Sequence, residues 1–198
     1  MKSLQKRILL TGLIIIFIIG IGFAVYPFLP LIKYYLSPKP PEIPGIPEIT
    51  SDEKEELEEN IASLSEIEGN ILIIPKISVR IPIVEGKDES TLNLGAWRLP
   101  ETSTPDKGSN TAIAGHRWKY RPPSEKTFYL LDKLEAGDGF QIFWQGKEYN
   151  YKIVSTEVVL PTDVWVLKPT ENSVVTLITC TPLFSTTKRL IVRGELID

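Results

Sequence analysis

From residue 71 to the C-terminus, the apolar runs of this chain are short, rich in β-branched residues and separated by proline and glycine. The runs are residues 71–74, 77–84, 111–114, 174–178 and 190–192. β-Branched residues favour strands, and Pro75 and Pro82 restrict the first two runs to short or edge strands. Short strands with turn signals about every ten residues are typical of an all-β barrel or sandwich. The pattern therefore predicts an all-β domain over residues 69–198.

Local signals between these runs predict the connections. Residues 140–144 and 149–154 flank Gln145-Gly146-Lys147 and predict a β-hairpin. The other elements predicted from local pattern are a helical turn, two short strands and a long surface connection, at residues 128–134, 158–160, 164–167 and 91–108.

The N-terminal part of the chain has a different character. Residues 8–32 carry no charge and follow Lys2, Lys6 and Arg7. At roughly 25 residues, this stretch is long enough to span a bilayer as a helix. The basic residues predict that residues 1–7 are a cytoplasmic tail and that the rest of the chain lies outside the cytoplasm. A cleaved signal peptide is the competing interpretation, and the length of the apolar run favours a retained anchor.

Two segments separate this anchor from the β-rich region. Residues 33–49 are rich in proline, which predicts an extended spacer, with a motif for a proline-binding module as the alternative. Residues 50–68 predict an amphipathic helix, because Thr50 and Glu53 form a capping box before apolar residues at helical spacing. This helix packs on the edge of the domain or covers a cleft as a lid, and the sequence leaves both open.

Charge and cysteine content exclude several classes of function. The net charge is −3, and no basic stripe with interleaved aromatic residues indicates a nucleic-acid partner. The single cysteine cannot form an internal disulfide, and no Cys/His cluster or calcium loop occurs. We therefore predict no metal site and no cofactor, while dependence on calcium stays open. An unpaired cysteine outside the cytoplasm is open to oxidation, so its presence there requires a reason.

The only cysteine and the only histidine each follow an apolar run. Cys180 follows residues 174–178, His116 follows residues 111–114, and Arg189 opens the last run. An ordinary thiol, with a pKa of about 8.5, is mostly protonated at neutral pH, so a cysteine nucleophile needs a nearby base or positive charge. Histidine transfers protons near neutrality, and arginine stabilises an oxyanion. Each residue also has a non-catalytic interpretation: Cys180 as a buried thiol, His116 as a turn residue and Arg189 as a surface charge.

The order of these motifs resembles that of the sortases, the membrane-anchored cysteine transpeptidases of bacterial surfaces. The motifs are Ala114-Gly115-His116, Thr179-Cys180 and Arg189, preceded by Ile74-Pro75-Lys76-Ile77 and Leu134-Glu135-Ala136-Gly137-Asp138. The similarity extends from about residue 69 to the C-terminus. It implies a closed eight-stranded β-barrel with short helical connections.

The resemblance also implies roles for individual residues. Cys180 is the expected nucleophile, His116 the proton-transfer residue and Arg189 the residue that binds substrate and oxyanion. Thr179 is expected to line the substrate groove. Arg193 has the same strand parity as Arg189 and is the alternative arginine.

The implied substrates are secreted proteins with a C-terminal sorting signal similar to Leu-Pro-any-Thr-Gly. A thioester on Cys180 would then pass to an amine of a cell-wall precursor or of a pilin lysine. The short spacing from Cys180 to Arg189 is closer to class A, D or E sortases than to class B, and the class stays open. The implied location is the cell membrane, with lipid around residues 8–32 and the catalytic domain outside.

Two other functions are compatible with parts of this pattern. The first is an anchored β-barrel that binds a partner without catalysis and buries Cys180. The second is a cell-wall L,D-transpeptidase, which also uses cysteine and histidine. Its compact Ser-His-Gly-Cys pattern is absent from this sequence.

Overall fold

Eight β-strands form the body of the chain in the computed structural model, which describes residues 2–36, 69–119 and 126–197. They are β1 (Asn70–Ile74), β2 (Val79–Glu85), β3 (Ala96–Arg98), β4 (Asn110–Ala114), β5 (Gly139–Trp144), β6 (Lys147–Val159), β7 (Val174–Thr181) and β8 (Lys188–Leu196). The strands close into a barrel in the order β1-β2-β3-β4-β7-β8-β6-β5. The predicted all-β fold and the eight-stranded barrel are confirmed.

Two connections match their sequence signals closely. β5 and β6 pair up to Trp144 and Lys147, and Gln145 and Gly146 between them have φ values of 52° and 76°. Positive φ at both central residues is the geometry of a tight hairpin turn, and glycine adopts it without strain. The predicted hairpin is therefore confirmed. A 3-10 turn at Leu131–Lys133 lies within the predicted helical turn.

The barrel interior and one part of its outer surface are both apolar. The interior contains Phe128, Phe140, Tyr151 and Leu177, all buried. A second cluster of Ala112, Val159, Val166, Ile178 and Ile191 covers the outside of β4, β6, β7 and β8. Because β7 is buried on both faces, its sequence is a continuous apolar run rather than an alternating one.

Residues 164–167 were predicted as a strand, and this prediction is wrong. Val164–Leu167 is a 3-10 helix. The Leu160 N–H donates to the Asp163 carboxylate at 2.7 Å, which turns the chain directly after β6. Val166 is buried in the outer cluster and Leu167 packs against it, so the 3-10 conformation of this segment is held by contacts with distant strands.

Two further predictions need correction. Residues 158–160 are not a separate strand, because Val158 and Val159 end β6, whose register shifts between Ile153 and Ser155. The connection at residues 91–108 is not wholly irregular, because it contains β3. β3 is three residues long, and a strand this short has too few side chains to show an alternating pattern.

The N-terminal apolar helix is present as predicted. α1 (Lys2–Val25), a 3-10 turn (Tyr26–Phe28) and α2 (Leu29–Leu36) follow one another, and Gln5–Leu36 is long and apolar enough to cross a membrane. It is a candidate membrane anchor. At its end, the Lys133 ammonium lies 5.7 Å from the centre of the Tyr35 ring, and Tyr34 packs against the barrel core. The predicted helix at residues 50–68 and most of the proline-rich segment lie outside the described residues.

Candidate active site

Parallel pairing of β4 with β7 brings two predicted site residues together. Ala114 is opposite Ile178 in this pair, and the Gly115 N–H donates to the Ile178 carbonyl at 3.0 Å. His116 and Cys180 each come two residues after these partners. Both therefore lie at the same end of two neighbouring strands, although they are distant in sequence.

Antiparallel pairing of β7 with β8 brings in the third residue. Cys180 and Arg189 are direct Cα partners across this pair. Side chains of directly opposed residues lie on the same face, with Cβ atoms about 5 Å apart. Arg189 Nη1 donates to the carbonyls of Thr186 at 2.8 Å and Lys188 at 3.2 Å, so the loop after β7 orients the guanidinium. Cys180 is partly exposed.

Arg193, the alternative arginine, has other partners. It lies four residues beyond Arg189 on β8, which is about 13 Å along an extended strand. Its guanidinium lies 5.3 Å from the centre of the Trp165 ring and donates to the Val166 carbonyl at 3.3 Å. Arg193 thus holds the 3-10 helix against the barrel, while Arg189 is the direct partner of Cys180 across the β7–β8 pair.

The environment of His116 favours the neutral imidazole. The side chain is half-buried, and its Nε2 is buried without a hydrogen-bond partner among the described residues. Burial, and secondarily the positive charge of Lys119, hold the pKa of His116 below its usual value of 6.5. A neutral imidazole accepts a proton, so His116 suits the removal of a thiol proton at neutral pH.

The backbone before His116 is tightly constrained. A Cβ on Gly115 would lie 2.7 Å from the Phe128 ring, so only glycine permits this approach. The Phe128 N–H also donates to the His116 carbonyl at 2.8 Å. Thr179 is 2% exposed, and its hydroxyl donates to the Gly115 carbonyl at 2.8 Å. A substrate contact through Thr179 stays a prediction, and the contact observed here is with the segment that carries His116.

Sequence reasoning missed one buried charge at this site. Arg117 is 5% exposed, and its guanidinium contacts the Cys180 carbonyl, the Thr181 hydroxyl and the Asp132 carboxylate. Its only signal in the sequence is its position next to His116, because its partners come from distant segments. In the described ranges, no group of three or more His, Cys, Asp or Glu side chains could hold a metal ion.

We expect Lys119→Gln to raise the pKa of His116 towards 6.5, because it removes the second of the two causes of the shift and leaves burial. Since the chain has one histidine, an imidazole proton NMR titration measures this pKa directly. The exposed Lys107, replaced by glutamine, is the control and should leave the titration unchanged. An unmoved pKa in Lys119→Gln would contradict the electrostatic contribution.

The same shift has a consequence for stability. The unfolded chain binds its imidazole proton at a higher pH than the folded chain, because the folded pKa is the lower one. His116 therefore destabilises the fold as the pH falls below about 6.5, and Lys119→Gln should reduce this acid-side loss.

Known proteins are similar to this chain in sequence and in fold. The Sortase domain family model matches residues 72–197. Sortase SrtE1 of Streptomyces coelicolor is 35% identical over 144 residues, covering 65% of this chain and 40% of that protein. Sortase D of Bacillus subtilis is 30% identical over 164 residues, covering 79% of this chain and 77% of that protein.

The fold is also similar to that of a solved sortase structure. Sortase C of Clostridium perfringens, solved with the C-terminal cell wall sorting motif, superimposes with a TM-score of 0.58 and 28% identity. The match covers 76% of this chain and 92% of that one. The family match spans most of the chain, and the barrel carries the predicted motifs at neighbouring strand ends. This chain belongs to the sortase family.

Proposed function

We propose that this chain is a membrane-anchored transpeptidase that cleaves a C-terminal sorting signal similar to Leu-Pro-any-Thr-Gly and transfers the acyl group to an amine. The family and the fold support a transpeptidase function. The observation that carries the residue assignment is the pairing of Cys180 with Arg189 beside the strand end that leads to His116.

The proposed reaction has two acyl-transfer steps. His116 removes the thiol proton, and the sulfur of Cys180 attacks the carbonyl carbon of the threonine in the signal. The tetrahedral intermediate collapses to a thioester as the bond to glycine breaks, and His116 returns the proton to the departing amine. An incoming amine then attacks the thioester carbonyl and loses a proton to His116, the bond to sulfur breaks, and His116 returns the proton to the sulfur of Cys180. Atoms and charge balance without a cofactor.

Arg189 is assigned to the substrate and the developing oxyanion. Both of its hydrogen bonds to the loop use Nη1. A guanidinium has five N–H donors, so Nε and Nη2 remain to donate to a substrate oxygen at the Cys180 face of the sheet. Donors fixed in advance by the protein stabilise negative charge without reorganisation during the reaction.

The substrate class and location follow from the family and the anchor. The C. perfringens relative was solved with a cell wall sorting motif, which supports the same class of peptide here. Gln5–Leu36 would anchor the protein, with the basic residues before it in the cytoplasm and the barrel outside. The acceptor would be an amine of a cell-wall precursor or of a pilin lysine. The partial exposure of Cys180 speaks against a binding barrel with a buried thiol.

The test uses the full chain in detergent micelles, incubated with a panel of Leu-Pro-any-Thr-Gly-like peptides. Intact-mass spectrometry should detect an acyl adduct, and peptide mapping should place it on Cys180. Addition of triglycine should discharge the adduct and form the ligated peptide. An inert thiol that neither acylates nor reacts with iodoacetamide until the protein unfolds would overturn the proposal in favour of the binding barrel.

A further inference from the structure

Arg117 joins three segments that meet at the site. Its Nη1 donates to the Cys180 carbonyl at 3.2 Å and to the Thr181 hydroxyl at 3.0 Å. Its Nη2 lies 2.8 Å from Asp132 Oδ1, and its Nε donates to the Tyr129 carbonyl at 3.4 Å. A side chain next to His116 in sequence is thus bonded to the backbone of Cys180.

The buried charge of Arg117 is compensated by specific partners. A buried charge is costly unless it is paired and its donors are satisfied. Arg117 is paired with Asp132, and each of its three guanidinium nitrogens contacts an oxygen of the protein. Lysine cannot reproduce such a set, since its ammonium is a single point of charge without a fixed fork.

The contacts lie where sheet pairing ends. The Ala114–Ile178 pair and the bond from Gly115 to Ile178 are the final backbone links between β4 and β7 in the described chain. His116 and Cys180 come after this point, so the ladder does not fix one against the other. The Arg117 guanidinium spans this gap.

We propose that Arg117 is a positioning residue that holds the His116 segment against the Cys180 segment and so sets the approach of imidazole to thiol. Each of its three guanidinium nitrogens contacts a protein group, so it acts through these two residues and not on the substrate. The catalytic consequence rests on the proposed transpeptidase function. The positioning itself does not.

Arg98 provides a matched control. It is also a buried arginine, 9% exposed, and its Nε lies 2.6 Å from the Glu85 carboxylate. Its Nη1 donates to the carbonyls of Leu99 at 3.1 Å and Thr102 at 3.0 Å. Arg98→Gln therefore removes a comparable buried network on β3, without a contact to Cys180.

The experiment compares Arg117→Gln, Arg117→Lys and Arg98→Gln in the full chain in micelles. In Arg117→Gln we expect kcat to fall about 10- to 100-fold with KM within about threefold, because a misplaced base slows chemistry more than binding. Arg117→Lys should show a smaller fall in kcat than Arg117→Gln. Arg98→Gln should lower the Tm while kcat stays within about twofold of wild type.

A second readout does not depend on substrate. The imidazole NMR signal of the only histidine should shift and broaden in Arg117→Gln, as His116 leaves its fixed environment, and should stay in place in Arg98→Gln. An unchanged signal in Arg117→Gln overturns the inference. If wild type forms no acyl adduct, the proposed function fails while this comparison still decides the positioning. If Arg117→Gln does not fold, Arg117→Lys carries the same comparison.

Discussion

Replacement of Cys180 by alanine is expected to abolish acyl-enzyme formation, with a loss of at least about 10⁴-fold in turnover. The chain has no second cysteine to replace the thiol. Cys180 is partly exposed at the end of β7, so its truncation should cost little stability. The measurement is intact-mass detection of the adduct together with amine-dependent peptide ligation.

Cys180→Ser is the matched control for this variant. It keeps the shape of the side chain and a polar atom opposite Arg189, and it removes only the acidity and nucleophilicity of sulfur. We expect it to fold as wild type and to form no detectable adduct. An adduct that persists in Cys180→Ala at the wild-type rate would place the nucleophile elsewhere and remove the basis of the mechanism.

Arg189→Lys is expected to lower kcat/KM by about 10²- to 10³-fold, the range seen when a donor to an oxyanion is removed. Lysine keeps the positive charge but has no planar fork of donors. In Arg189, Nη1 donates to the carbonyls of Thr186 and Lys188, and the other nitrogens remain for the substrate. Steady-state kinetics of peptide cleavage with an amine acceptor measure the loss.

Arg193→Lys decides between the two arginines. Arg193 stacks on Trp165 and holds the Val164–Leu167 helix through the Val166 carbonyl. Its replacement should lower the Tm and change kcat/KM by less than about threefold. If Arg193→Lys shows the larger kinetic loss, the assignment of the substrate arginine is reversed.

The parts of the fold that follow from local chemistry could be predicted from the sequence. Gly146 and its neighbour Gln145 both take positive φ, and the alternating runs on either side form β5 and β6. The apolar, β-branched run at residues 174–178 likewise predicted a strand, and it lies within β7. In these segments the conformation depends on neighbours within a few residues.

Segments decided by distant contacts could not be predicted. The Val164–Leu167 sequence contains two β-branched residues, yet it forms a 3-10 helix whose Val166 and Leu167 pack on an outer cluster made by four strands. β3 exists because β2 and β4 pair with it on either side. Local propensity is a weak guide where burial decides.

The same distinction applies to the site. The sequence motifs indicated Cys180, His116 and Arg189, but their proximity depends on the parallel β4–β7 register, which no local pattern reports. Arg117 could not be assigned, because an arginine in sequence is most often a solvated charge. Its role emerges only from Asp132 and the Cys180 carbonyl, which the fold brings to it.

The direct pairing of Cys180 with Arg189 has a consequence for how such a protein can diversify. Thr181 and Lys188 are the last pair between β7 and β8, so residues 182–187 form a loop outside the sheet. Lengthening such a loop costs only about 0.6 kcal/mol for each doubling. The strands set the position of Arg189 opposite Cys180, and the Thr186 carbonyl orients its guanidinium. Insertions before Thr186 can therefore remodel the surface around these residues while the Cys180–Arg189 pairing stays in place.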